Sequence, residues 1–331
     1  MRRISVAFAI LAAAATTTVA GASTKGTTLS LVGYSTPKTV MGKIVQNWQQ
    51  TPDGQGNNVN QNYGASTDQA RAVAAGLKAD IVFLSTGDDV NLLVDDGLVD
   101  KNWDKQSYRG IEADTLVVFA VRPGNPKHIK SWNDLLEPGT QVITPNPFSS
   151  GSAKWNVLAA YGAQRRLGKT DKQATDFVQK LFSHVVSQDT SGRNATNTFL
   201  SGKGDVLLTY ESEALTSRLN GTDIQYVIPR QSMLIELPIA VLKESSNKDL
   251  AKKFVRFTKT AGPQDLLAQY GFRPVNQTVA KKYAPKYPSR PGIFKIDDKI
   301  FGGWRAVDKK WFSSKGLMVK IEQAIGGPTS G

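Results

Sequence analysis

Cysteine is absent from all 331 residues. Disulfides, thiolate nucleophiles, zinc ribbons and iron–sulfur clusters are thereby excluded, as is a lipid-modified cysteine behind a leader. Histidine is nearly as scarce. His128 lies in the turn-like run GNPKHIK and His184 at the expected end of a helix. Such unrelated contexts support neither Ser-His-Asp catalysis nor a histidine-rich metal centre. The patterns GxSxG and HExxH and the phosphate-cradling P-loop are missing too. Acidic residues are outnumbered, 28 against 41 basic, giving a formal charge of +13. The positives are spread along the chain, with some enrichment from Lys281 to Lys320 and no aromatic-interleaved basic motif. Nucleic acid is therefore not the expected partner. No catalytic residue, cofactor or metal is expected, and the protein is read as a binder rather than an enzyme.

What is present begins with Arg2 and Arg3, an apolar run from Val6 to Ala15, and the small residues Val19, Ala20, Gly21 and Ala22. This is the form of a secretory leader, spanning residues 1–22, with cleavage after Ala22 or Ala20. Cleavage after Ala22 removes two arginines and leaves +11. No later run is long and apolar enough to span a bilayer. The expected product is a free periplasmic monomer. A hydrophobic content of 40% and a charged content of 21% suit a soluble globular chain, and its length favours two lobes.

Strand and helix patterns alternate. TTLSLVGY (27–34) reads as a strand and 38–50 as a helix; NNVNQNYG is a weaker strand before a helix at 66–77 with Ser66 as its N-cap. Strands follow at 79–85 and 115–124, helices at 152–167 and 172–182, strands at 205–210, 224–228 and 237–242, and helices at 247–259 and 263–269. This alternation predicts parallel α/β sheets. Two stretches echo each other: Ser66 leads through a helix to GLKADIVFLSTGDD, and Gly192 leads through NATNTFLSGKGDVLLTYESE. Each reads as loop, helix, basic-x-Asp turn, buried strand and polar loop. A true echo means two similar lobes whose strand ends face one cleft, and ligands of open α/β sheets bind beyond the carboxyl ends of strands.

One run asks for a ligand. TPNPFSSGSAKWNVLAAYG (144–162) opens a helix with more donors than capping needs. Together with TNTF, GDVLLTYESEA, RPGNPKHIKSWNDLLEPG and FGGW, it resembles the periplasmic sulfate-binding proteins of sulfate/thiosulfate ABC importers, over about residues 29–312. The resemblance implies the type II periplasmic-binding-protein fold: two α/β lobes joined by hinge strands, with one oxyanion in the cleft. Lobe 1 would comprise 27–116 and 242–325 and lobe 2 residues 117–241, with crossings near Leu116–Val121 and Pro238–Leu242. Its implied partners are sulfate or thiosulfate and an inner-membrane permease with its ATPase.

The family's donors carry over to Ser66, to Ser150, Gly151 and Ser152, to the backbone of Gly192, and to Tyr210, where the family has a tryptophan. Tyr34, Ser35 and Arg193 would support them, Ser35 standing where the family's first loop has an acid. The chemistry is coherent. Unprotonated sulfate only accepts hydrogen bonds, and helix N-termini offer free N–H groups with roughly half a positive charge each. Phosphate, molybdate, tungstate, or a metal held by tyrosines such as Tyr34, Tyr63 and Tyr210, remain the alternatives, though no Tyr-Tyr pair occurs. The acids nearest the expected site in sequence are Asp68, Asp189 and Glu211.

Overall fold

The computed structural model describes residues 26–331, so the leader read at 1–22 lies outside the described residues. The first part of the chain forms β1 (Thr28–Tyr34), α1 (Lys38–Trp48), β2 (Asn58–Gly64), α2 (Ser66–Ala74), β3 (Ile81–Phe83), α3 (Gly87–Asp95) and the long β4 (Ile111–Val121). The second part forms β5 (Val142–Pro145), α4 (Gly151–Arg166), α5 (Asp171–Ser183), β6 (Val185–Asp189), α6 (Gly192–Leu200), β7 (Val206–Tyr210) and α7 (Glu211–Leu219). It ends with β8 (Gln225–Val227) and a second long strand, β9 (Ser232–Val241). Helices α8 (Lys248–Thr258) and α9 (Ala261–Gln269) follow, and short elements carry the chain to Ile325. No helix among the described residues is long and apolar enough to cross a membrane.

The strand order is β2-β1-β3-β9-β4-β7-β5-β6. Within β2-β1-β3 and within β6-β5-β7 every pairing is parallel, as helical crossovers require. At the centre, where the crossing strands were expected, the pairing turns antiparallel. There β9 runs antiparallel to both β3 and β4, and β4 antiparallel to β7. Both long strands change partners midway. Residues Ile111–Leu116 of β4 pair with β9 and Val117–Val121 with β7; β9 pairs with β4 up to Pro238 and with β3 from Ile239. These switch points connect the two triplets.

The internal echo is structural. Asp80 exchanges two hydrogen bonds with Ser30 (2.8 Å from its N–H, 2.7 Å to its Oδ2), and Asp205 does the same with Gln141 at 2.8 and 2.8 Å. Each aspartate pins the start of a third strand beside the first. The tails read as polar loops are helices in both copies, α3 and α7. Thr86 caps α3 by accepting from Asp89 N–H, and acids occupy both first turns.

Every residue of α4 from Gly151 to Gln164 is buried, so this helix needs cover on all sides. The cover comes from the C-terminal part of the chain. Helices α8 and α9 pack on α1, with Trp48 meeting Phe254 and Phe257 at 5.6 and 5.5 Å. From Phe294 onward, however, the chain lies over α4. Trp304 packs on Trp155 at 4.7 Å and Trp311 on Tyr161 at 5.0 Å, while Gly162 leaves room for Phe294 and Phe301.

Strand β4 carries two strained carboxyls. Burial pushes the Glu112 carboxyl up to about 7, eased by Lys259, Thr258 and Gln264. Burial and then Glu236, directly opposite on β9, push Asp114 to about 7 against Lys295, Arg273 and Arg109. In both cases the folded state holds its proton to higher pH than the unfolded chain. Their stabilisation is complete below the unfolded values near pH ~4 and is lost as pH rises through about 7. The melting temperature is therefore expected to fall between pH 5 and 8. Calorimetric melts across that range check it, and a rising trend would refute it.

Candidate functional site

The carboxyl ends of β1, β3, β5 and β7 converge, and α2, α4 and α6 begin beside them. The first turn of a helix leaves its N–H groups without internal partners, so these ends are natural donors. Gly192, opening α6, faces Ser152 in the first turn of α4. A β-carbon on Gly192 would lie 3.3 Å from the Ser152 side chain and 3.6 Å from that of Thr36. One on Gly151 would lie 2.7 Å from Ser85 Oγ. Both glycines let separate segments meet closely.

Ser150 holds the N-cap position of α4, but its side chain makes no capping bond, and its N–H donates to Asn146 O at 3.0 Å. Its buried hydroxyl is therefore not explained by capping. Tyr34 ends β1 fully enclosed, and its hydroxyl has no partner; neither has the buried hydroxyl of Thr36. Burial, then the nearby Tyr210, holds the Tyr34 phenol well above its usual range. Tyr210, at the end of β7, is wholly buried with its hydroxyl 2.5 Å from Ser85 Oγ. Burial pushes its phenol up, while the Ser85 and Ser152 hydroxyls pull it back. All of these phenols stay protonated at neutral pH, so they remain donors.

Ser66 behaves differently from expectation. Ala65, not Ser66, is the N-cap of α2. Ser66 Oγ accepts from Ser85 N–H at 2.8 Å and donates to Asp89 Oδ2 at 2.6 Å. Its hydroxyl hydrogen is thus committed inside the protein. Thr67 Oγ1 donates to the other oxygen of Asp89 at 2.8 Å.

The acids nearest in sequence are engaged elsewhere: Glu211 with Arg273 at 2.8 Å, Asp189 with Thr198 at 2.8 Å, and half-exposed Asp68 with Arg71 at 3.6 Å. The buried acids beside the site are Asp89 and Glu213. Arg193 places its Nε 2.9 Å from Glu213 and donates to Thr36 O at 3.1 Å, tying α6 to the loop after β1. Burial raises the Glu213 carboxyl, and Arg193 and Thr196 oppose the rise. At the mouth lies a cavity of about 470 Å³ lined by Ser35, Lys38, Tyr63, Asp68, Arg193 and Asn194 among others. Thr36, Ser85, Asp89 and Glu213 escaped the sequence reading. Ser85 was within reach, because aligning the two echoes on Asp80 and Asp205 sets Ser85 opposite Tyr210.

Known proteins share this arrangement of elements. The model of the bacterial extracellular solute-binding proteins matches residues 29–273. The sulfate-binding protein of Salmonella typhimurium is 38% identical over 80% of this chain and 83% of its own. The thiosulfate-binding protein of Pseudomonas aeruginosa is 33% identical over 83% of this chain and 85% of its own. The solved sulfate-binding protein SubI from Mycobacterium tuberculosis superposes with a TM-score of 0.83 at 43% identity, covering 87% of this chain and all of that one. The chain belongs to the bacterial extracellular solute-binding protein family, on the fold of periplasmic binding proteins.

Proposed function

We propose that this protein binds sulfate, with thiosulfate as the alternative cargo, in the periplasm and delivers it unchanged to an ABC importer. The observation that carries this reading is the excess of buried donors where α4 and α6 face each other. Tyr34 and Thr36 have hydroxyls without partners, and Ser150 has one that does no capping. The first-turn N–H groups of Gly151, Ser152 and Gly192 add to them, whereas Ser66 serves as a brace through Asp89. The relatives named as sulfate- and thiosulfate-binding proteins support the same cargo. The lobes we propose are 27–116 with α8 and α9, and 117–241 with the covering segment 294–325, hinged at Leu116/Val117 and Pro238/Ile239. Closure of that hinge brings Gly192 and Ser152 to the loop after β1.

Selectivity against phosphate tests the reading. Both oxygens of Asp89 accept from the Ser66 and Thr67 hydroxyls, and the buried Glu213 carboxylate faces the Arg193 guanidinium at 2.9 Å. With Asp89 saturated and Glu213 paired to Arg193, a ligand that carries its own proton must compete with that ion pair for an acceptor, and an unpaired buried polar group costs about 1–3 kcal/mol. Calorimetric titration at pH 7 is expected to show hydrogen phosphate at least about tenfold weaker than sulfate. Equal dissociation constants would overturn the donor-only site, and sulfate converted to another product would overturn transport.

A further inference from the structure

Strands β3 and β7 are equivalents in the internal repeat, and their carboxyl ends present Ser85 and Tyr210 to each other. The two buried hydroxyls meet at 2.5 Å, and among the described residues this is the one hydrogen bond of Ser85 Oγ. Two hydroxyls carry two hydrogens, and a single contact uses one. A phenol is a far stronger acid than an alkanol, so the favoured direction is Tyr210 O–H donating to Ser85 Oγ. The Ser85 hydrogen is then left without an acceptor in the protein. Its backbone is fixed on both sides: Ser85 N–H donates to Ser66 Oγ at 2.8 Å, and the Trp155 indole donates to Ser85 O at 2.7 Å. Ser85 Oγ stands over Gly151, at the first turn of α4.

We propose that Ser85 is a ligand-binding residue of the site, its hydroxyl handing the free hydrogen to the bound oxyanion, with Tyr210 behind it as a positioning residue. The resemblance to sulfate-binding proteins gives Tyr210 the direct contact; the geometry moves that contact one hydroxyl forward. Donation from Tyr210 polarises the Ser85 O–H and makes it a better donor to an anion. The inference rests on the oxyanion reading above. It also accounts for Gly151, since any β-carbon there would displace the Ser85 hydroxyl.

The test is sulfate calorimetry and melting, with and without sulfate, on the full chain and on Ser85→Ala, Tyr210→Phe, their double variant and Ser150→Asp. Ser85→Ala is expected to weaken sulfate binding by about 10- to 100-fold while melting near the parent temperature without ligand. Tyr210→Phe should lose less, because Ser85 keeps its hydrogen. The double variant should bind no worse than Ser85→Ala, because the proposed contact with the ligand runs from Tyr210 through Ser85; a direct contact by Tyr210 would make the losses add. Parent-like affinity in Ser85→Ala, or additive losses, overturns the relay while Ser150→Asp still reports on the oxyanion site. Parent-like binding in Ser150→Asp as well overturns the underlying reading.

Discussion

Ser150→Asp is expected to abolish sulfate binding without unfolding the protein. The side chain lies buried at the entry of α4 and makes no capping bond. A carboxylate there would sit beside a dianion. Two unit charges 4 Å apart at an effective dielectric of 20 repel by about 4 kcal/mol, and sulfate carries two charges. That is several times what any one charge-assisted hydrogen bond contributes. Ser150→Ala loses one charge-assisted donor and should weaken binding by about 1.5–3 kcal/mol. If Ser150 served the helix alone, the order would reverse: aspartate caps as well as serine, and alanine costs about 1 kcal/mol of stability. Calorimetry and melting curves on both variants separate the two roles. An aspartate variant that binds sulfate like the parent would reduce Ser150 to a helix cap.

How far the sequence reaches is visible in that same region. Small polar residues before a helix marked the run 144–162 as a place for a ligand, whereas the individual donors Ser150, Gly151, Ser152 and Gly192 followed from the family resemblance. The repeat around Asp80 and Asp205 was legible since both copies keep the same turn and buried strand. The fate of the Ser66 hydroxyl was not. Its acceptor, Asp89, is 23 residues away on another helix, and hydroxyl partners follow from packing. The antiparallel centre of the sheet escaped for a similar reason, as β4 and β9 look like ordinary strands until their lengths span both triplets. The C-terminal cover on α4 is likewise set by contacts such as Trp155 with Trp304, nearly 150 residues apart and without periodic trace.

Charge was the least legible feature, and Lys154 shows why. A lysine on a helix is ordinarily read as solvent-facing. Here its side chain is 6% exposed, with Nζ 2.6 Å from Asp88 and 3.5 Å from Asp89. Burial by itself would lower the ammonium's hold on its proton, but the two carboxylates reverse that and hold it well above the usual range. Asp88 is itself pushed up by burial despite Lys154. Lys154→Met keeps the stem and removes the charge, leaving two adjacent carboxylates in a buried place. Breaking such a network from one side costs about 3–5 kcal/mol. Urea unfolding at pH 7 is expected to show a loss of that size. With the ammonium gone, the Asp88 carboxyl rises further above its unfolded value. The penalty is then small below pH ~4, where both states are protonated, and grows as pH climbs. The difference from the parent should therefore narrow between pH 7 and pH 5, and Asp88→Asn in the same chain should recover part of it. A loss under about 1 kcal/mol at pH 7, or one that does not change with pH, would mean that the triad is solvated and that the two halves of the protein are not held together through it.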